Sequence, residues 1–342
     1  MKTLFIGAGA SFGARLNNHG LVAPPLGADL LVFLRQNINR LSELVYRSRY
    51  GAAAYDLNTA VGILDKHSTE MNFERFLPRL DEHEREVIHR TLQVAFSDLK
   101  PAIDIDLGFV RSEDRYDELI RTNSIQPNDW IVISLNYDLL FEDALTRIGI
   151  PFHYPVFPFA LGQDAPANSL PVFKPHGSIN FFAQPDIHVV SGNQPPTRVR
   201  EEMMTKFYKN ADGRTRPHYP IAYAGMSGPE NVITRVGQNT SYPVVANYAA
   251  GKDSDVNQPD LVAIRKQAIE AACKTDCLLI VGVNPILDRK DDPFCAELLG
   301  HEFDAVTYVG FGAISGTSIR SRFPRAELYL DGFADYLEKR SS

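Results

Sequence analysis

The chain has 342 residues, 44% of them hydrophobic and 23% charged, with a formal net charge of −7. That length holds one large α/β domain, or a core domain with a smaller unit attached. The acidic balance excludes a general nucleic-acid or membrane-surface binder, although a local basic patch remains open.

Cys273, Cys277 and Cys295 are too few for a disulfide framework and fit a reducing cytoplasm. The apolar run after Lys2 breaks at Gly7, too soon for a secretory signal. No run approaches the roughly 20 apolar residues of a membrane span, so no membrane partner is expected.

In chain order, residues 3–6 read as a short buried strand and Gly7-Ala8-Gly9-Ala10-Ser11 as the turn after it. Residues 28–50 carry apolar side chains at three- and four-residue steps, the period of a helix. Residues 58–66 and 72–80 read as shorter helices, and 81–99 as a long amphipathic helix ended by Pro101. Residues 129–135 form a near-continuous apolar, β-branched run, suited to a parallel strand buried on both faces. A helix follows over 138–148, then a short strand over 171–174. Residues 182–251, rich in Pro, Gly, Asn and Tyr, are expected to be long loops with short elements. A helix over 261–273, strands over 276–282 and 305–310, and a helix over 333–339 complete the pattern. Strands followed by helices at these intervals predict an α/β, doubly wound, Rossmann-like parallel sheet. It is expected from residues 1–27 and 126–342, with 28–125 as a helical insert or cap.

Three strand ends carry the chemistry. Glycines in Gly7-Ala8-Gly9-Ala10-Ser11 let backbone approach a pyrophosphate, and N–H groups at the following helix start offset its charge. Alone, such a turn is equally a tight strand-to-helix connection, and no Gly-Lys-Ser/Thr follows to make a Walker loop. Asn136 and Asp138 end the second strand, and His176 with Gly177 the third, where parallel sheets bind ligands. Singly, Asp138 reads as well as a helix cap, and a lone histidine is more often structural.

Together these segments resemble the sirtuin-like family, which carries a Gly-Ala-Gly-Ala/Ile-Ser turn, an Asn-x-Asp strand end and a His-Gly strand end in that order. The sequence is most similar to the prokaryotic sirtuin-like NADases of antiphage defence, whose motifs read Asn-Tyr-Asp and Lys-x-His-Gly-Ser-x-Asn. Here these are Asn136-Tyr137-Asp138 and Lys174 through Asn180. Asn72-Phe73-Glu74 resembles the Asn/Asp-Phe-Glu of their helical insert. Val281-Gly282, with Asp288 or Asp292 downstream, loosely resembles their late Gly-Tyr-Ser strand end, from which Val283-Asn284-Pro285 departs. The deacetylating sirtuins carry a zinc module of two paired-cysteine motifs. Tetrahedral zinc needs four ligands, and the three cysteines do not supply such a set, so no zinc is expected.

The resemblance implies NAD as substrate, with Gly7, Ala8, Gly9, Ala10, Ser11, Gly177 and Gly282 binding it and Asn136, His176 and Asp138 catalytic. In that reading Asn136 holds the ribose or orients water. His176 acts on the ribose hydroxyls or as general base, and Asp138 orients the nicotinamide-ribose region or supports the loop. The implied reaction is hydrolysis of NAD+ to nicotinamide and ADP-ribose by a cytoplasmic effector that depletes NAD+. Such an effector must be restrained, so a homo-oligomer or a separate partner, an ATPase or a short Argonaute, is expected, without direct nucleic-acid contact. Three other readings stand beside it: an NAD or ADP-ribose sensor without turnover, an ADP-ribosyl- or acyl-transferring enzyme, and a nicotinamide-dependent oxidoreductase. The last lacks an acidic residue ending a second strand about 20 residues after the glycines.

Overall fold

Runs of aliphatic and β-branched residues with no polar alternation have no face to give to water, and the chain stacks them side by side. The computed structural model describes residues 1–15, 23–26, 29–36, 38, 51–70, 73–98, 114–155, 168–183, 258–285 and 292–341, with separate short strands between 188 and 245. Seven strands form one sheet, all pairs parallel. They are β1 (Lys2–Ile6), β2 (Trp130–Ser134), β3 (Phe152–His153), β4 (Leu170–Phe173), β12 (Cys277–Val281), β13 (Ala305–Val309) and β14 (Glu327–Tyr329). The intervening numbers are antiparallel pieces of two to seven residues: β5 (Gly177–Ala183), β6 (His188–Val189), β7 (Thr197–Arg198), β8 (Phe207–Lys209), β9 (Thr215–Pro217), β10 (Ile221–Tyr223) and β11 (Pro243–Val245).

The sheet order is β14-β13-β12-β1-β2-β4-β3. β1 is therefore central: the chain builds outward on one side through β2 and β4, then crosses to β12 on the other. A crevice at the carboxyl ends of β1, β2 and β12 follows from that change of direction. Every residue of β2 is buried, as are the last four of both β1 and β12.

The helices are α1 (Ala8–Arg15), α2 (Gly51–Lys66), α3 (Phe73–Phe76), α4 (Glu82–Asp98), α5 (Arg115–Thr122), α6 (Leu140–Ile148), α7 (Pro259–Ala272), α8 (Pro293–Leu299), α9 (Ala313–Arg322) and α10 (Phe333–Ser341). Residues 30–36 are also helical. The buried apolar side chains fall into two clusters. One joins the sheet to α1 and α5–α10. The other joins residues 30–38 to α2, α3 and α4, and reaches the first cluster's territory through Leu139 and Ile179. Asn72 and Asp288 lie outside the described residues.

Two departures from the sequence reading bear on the site. Helix α1 begins at Ala8, so the expected five-residue turn contracts to Gly7 alone. Residues 177–180, read from sequence as a strand end, and 182–183, read as the start of a loop region, belong to β5, which pairs antiparallel with β10 and β11 outside the main sheet.

The turn is tight because it packs on a second backbone. Gly9 N–H donates to the Gly282 carbonyl at 2.9 Å, and Gly7 N–H to Val281 at 3.0 Å. A Cβ on Gly9 would lie 2.9 Å from the Gly282 oxygen, and one on Gly282 would overlap Gly9 and the Ala10 nitrogen. Gly282 also has φ +64, in the left-handed region. Gly282→Ala is expected to cost roughly 2–5 kcal/mol, the sum of backbone strain and overpacking. Gly149 (φ +83) has no atom within 4 Å of its virtual Cβ, so Gly149→Ala should cost only about 1–2 kcal/mol. Denaturant midpoints of the two variants give the comparison; equal losses would contradict the steric account.

Candidate active site

The crevice is a cavity of about 470 Å³, within the range of small-molecule and cofactor sites. Its walls come from the three strand ends singled out in the sequence. Gly7, Ala8, Gly9 and Ser11 follow β1, Asn136, Tyr137 and Asp138 follow β2, and His176 follows β4; Gly282 follows β12. Pro24, Pro25, Leu26, Leu30 and Phe96 close one side with apolar surface. Ala10 is fully buried in the core and Gly177 is buried at the start of β5; neither is among the described residues lining the cavity.

Ser11 is the centre of a buried polar cluster. Asn136 Nδ2 donates to Ser11 Oγ at 2.8 Å, Ser11 Oγ and the Tyr116 hydroxyl are 2.8 Å apart, and Ser11 Oγ donates to Asp138 Oδ1 at 3.2 Å. The same Asp138 oxygen accepts the Leu140 N–H at 3.0 Å, fixing the start of α6. So Asp138 does both things weighed from sequence: it stabilises a helix start and joins the site. With its nitrogen committed to Ser11, Asn136 keeps Oδ1 buried and without a hydrogen-bond partner among the described residues. A buried amide oxygen left unpaired costs free energy, about 1–3 kcal/mol, that a bound donor would recover.

Tyr116 was not foreseen. It is fully buried on α5, with Phe141 and Phe333 against its ring. Burial, with Asp138 nearby, pushes its phenol well above the ordinary range, so it stays a neutral donor and acceptor. Helix α5 opens with a capping box between Asp114 and Asp117, and Arg147 on α6 pairs with both carboxylates and with Asp143. The Asp114-x-x-Asp117 spacing is the one sequence signal of this helix.

A second buried cluster lies under the Asn136–Asp138 loop. Lys174 Nζ donates to the Asp138 carbonyl at 2.7 Å and pairs with Glu142 Oε1 at 3.0 Å. The Tyr154 hydroxyl donates to the same Glu142 oxygen, and Asn180 Nδ2 donates to Tyr154. Ile179 N–H and the Ser178 hydroxyl both donate to the Tyr137 carbonyl. Lys174, Ser178 and Asn180 of the Lys-x-His-Gly-Ser-x-Asn pattern thus brace one strand end against another, leaving His176 at the cavity.

His176 Nε2 stands 3.4 Å from Asp292 Oδ2. Burial would raise the Asp292 carboxyl, but hydrogen bonding and charge from His176, with the Cys295 N–H, outweigh it and hold it at about 2. Its contribution to folding is complete above the ordinary carboxylate range and is lost as pH falls through about 2.

The turn amides are less available to a phosphate than the sequence implies. Gly9 N–H is taken by Gly282 and Ala10 N–H by the Gly7 carbonyl at 2.8 Å. Ala8, the first residue of α1, is exposed on the cavity wall and has no acceptor within its helix. No group of three or more His, Cys, Asp or Glu placed to hold a metal occurs among the described residues, and none of their helices is long and apolar enough to cross a membrane.

A family model described as a SIR2-like domain matches residues 131–236, which include both the Asn136–Asp138 and His176–Gly177 strand ends. Curated proteins give no match. Among solved structures, Sir2Tm bound to a propionylated peptide aligns at 12% identity and a TM-score of 0.35, over 100% of this chain and 90% of that one. An ADP-ribose complex of a histidine-to-asparagine mutant of a Sir2 homologue aligns at 13% identity and a TM-score of 0.39, over 99% and 90%. Both superpositions are loose; the fold assignment stands on the strand order.

Removing one partner of a buried ion pair leaves the other charge uncompensated. Lys174→Met is expected to destabilise by about 3–5 kcal/mol, and the double variant Lys174→Met/Glu142→Leu by much less. A double-mutant cycle from urea unfolding checks this; additive losses would mean that the two charges do not depend on each other.

Proposed function

We propose that the chain is an NAD+ glycohydrolase, cleaving NAD+ to nicotinamide and ADP-ribose. The observation that carries the reading is the Asn136 amide. It is fixed through its nitrogen, its oxygen is buried and unpartnered among the described residues, and it lines the same cavity as His176. The SIR2-like match over both of these strand ends supports NAD as the substrate.

Nicotinamide leaves neutral from a cationic pyridinium, and the transition state resembles an oxocarbenium ion. Such a reaction needs placed dipoles and excluded water more than a strong nucleophile. Asn136 Oδ1 accepts from a ribose hydroxyl or from the attacking water. His176 takes the proton as the water oxygen bonds to C1′. Asp138 holds Ser11, and through it the Asn136 amide. Ala8 and the start of α1 meet the pyrophosphate, with Gly282 holding the turn in place. Residues 1–27 and 126–342 form the NAD-binding core on this reading. Residues 28–125 are a helical insert whose last helix, α5, sends Tyr116 back into the site.

Uncontrolled hydrolysis of NAD+ would be toxic. We therefore place the protein in the cytoplasm as a regulated effector of antiphage defence. It would be restrained as a homo-oligomer or by a separate partner, an ATPase or a short Argonaute.

Asn136→Ala and His176→Ala should each lower nicotinamide release by roughly 10²–10⁴-fold with the fold intact by circular dichroism. Release at the parent rate in either variant would overturn the assignment. NAD+ bound but no nicotinamide released by the parent, with or without partner, would make the protein a sensor. The regulatory half has its own measurement: turnover should depend on assembly or partner across size-exclusion fractions. A monomer with full constitutive turnover would sink it.

A further inference from the structure

His176 is the last of the three residues between β4 and β5, followed by Gly177 with φ +83. One side chain that reaches it comes from the opposite half of the sheet. Asp292, 3% exposed, is the N-cap of α8, in the connection that follows β12. One of its oxygens, Oδ1, accepts the Cys295 N–H at 3.0 Å. The other, Oδ2, is 3.4 Å from His176 Nε2. The helix start pins the carboxylate, and the carboxylate presents its second oxygen to the imidazole across the cavity both residues line.

We propose that Asp292 is the positioning residue for His176, fixing the imidazole through Nε2 so that Nδ1 is the nitrogen that accepts the proton. This rests on the glycohydrolase reading and adds what orients the base. As water attacks, its oxygen bonds to C1′ and the bond from C1′ to the pyridinium nitrogen breaks. That electron pair goes to nicotinamide, which leaves neutral, and the water proton goes to His176 Nδ1. Asp292 keeps its negative charge throughout and offsets the imidazolium formed. A neutral imidazole carries one N–H, so a partner on one nitrogen decides which is basic. At 3.4 Å the contact is an ion-pair approach without hydrogen-bond geometry, and catalytic contacts of this kind often tighten only when substrate binds. The Asp292 carboxyl, held at about 2, is an anion over the whole range in which the enzyme would work. Among the described residues, the other carboxyl group lining the cavity is Asp138, and Lys174, two residues before His176 in the chain, is paired with Glu142.

The rival role for Asp292 is as a helix cap only, and asparagine caps a helix as well as aspartate. Asp292→Asn separates the two. Positioning predicts a fall in kcat for nicotinamide release of at least about 10-fold, with KM for NAD+ within about 2-fold and the melting temperature unchanged. Turnover at the parent rate would overturn the proposal. A second measurement does not need the reaction: the Asp292 carboxyl is followed by ¹³C NMR against pH. It should titrate near 2 in the parent and move upward in His176→Ala, because burial then acts without the imidazole. An unmoved titration would show that the two side chains do not interact and would also overturn it. A parent that releases no nicotinamide defeats the glycohydrolase reading, while the carboxyl titration still decides whether Asp292 holds His176.

Discussion

Lys174 Nζ lies 2.7 Å from the Asp138 carbonyl and 3.0 Å from Glu142, and the lysine and glutamate side chains are buried. An ammonium so placed is costly to desolvate, and the cost is offset only if every proton has a partner. That requirement couples separate parts of the chain. The β2–α6 loop must bring its Asp138 carbonyl to the lysine, α6 must place Glu142 one turn later, and β4 must end where Lys174 can reach both. Asn136 and His176 are carried on the same two strand ends. A shift of either would strand a buried charge, so the geometry of the site is enforced by electrostatics below it rather than by contacts at its mouth.

The glycine contact has the same character on the other side of the crevice. Gly9 against Gly282 brings the start of α1 onto the end of β12 closely enough for an N–H···O bond of 2.9 Å between them. This closeness uses up amides that a free turn would offer to a phosphate. The glycines are thus explained by backbone packing before any ligand is considered, and fold alone says little about chemistry. What distinguishes the site is the polar set at Asn136, Asp138 and His176.

The main sheet was legible because β1, β2 and β12 are buried on both faces and so read as largely apolar runs, and β13 is mostly so. Helices α2 and α4 were legible for the opposite reason, since each has one wet face and a 3.6-residue period. Strand β5 was not, because it leaves the main sheet and begins inside a motif whose polar residues, Ser178 and Asn180, are buried by hydrogen bonding rather than by hydrophobicity. Tyr116 was unreadable on different grounds. Its partner Ser11 is 105 residues away, and no local pattern marks a tyrosine whose hydroxyl enters a site. Asn136, Asp138 and His176 could be singled out by their order along the chain, and they line one cavity, whereas Tyr116, Glu142 and Tyr154, which brace the strand ends, lie outside any motif.

The charges around the cavity bear on which chemistry it favours. Its described lining contains two carboxyl groups, Asp138 and Asp292, and neither lysine nor arginine. A site built to grip phosphates by side chains would have the opposite balance. Phosphates here would have to rely on the start of α1, where the helix supplies partial positive charge without a cationic residue. On the glycohydrolase reading, the carboxyl groups of Asp138 and Asp292 would favour positive charge, both that of the ground-state pyridinium and that of the ribosyl cation developing as it leaves. Only the second preference accelerates the reaction, because catalysis requires tighter binding in the transition state than in the ground state. The pyridinium carries its charge on the departing ring, whereas the oxocarbenium carries it at C1′ and the ring oxygen. Carboxyl groups held rigidly by Ser11, Leu140 and Cys295 cannot follow the charge as it moves, and that rigidity is what lets one position be favoured over the other.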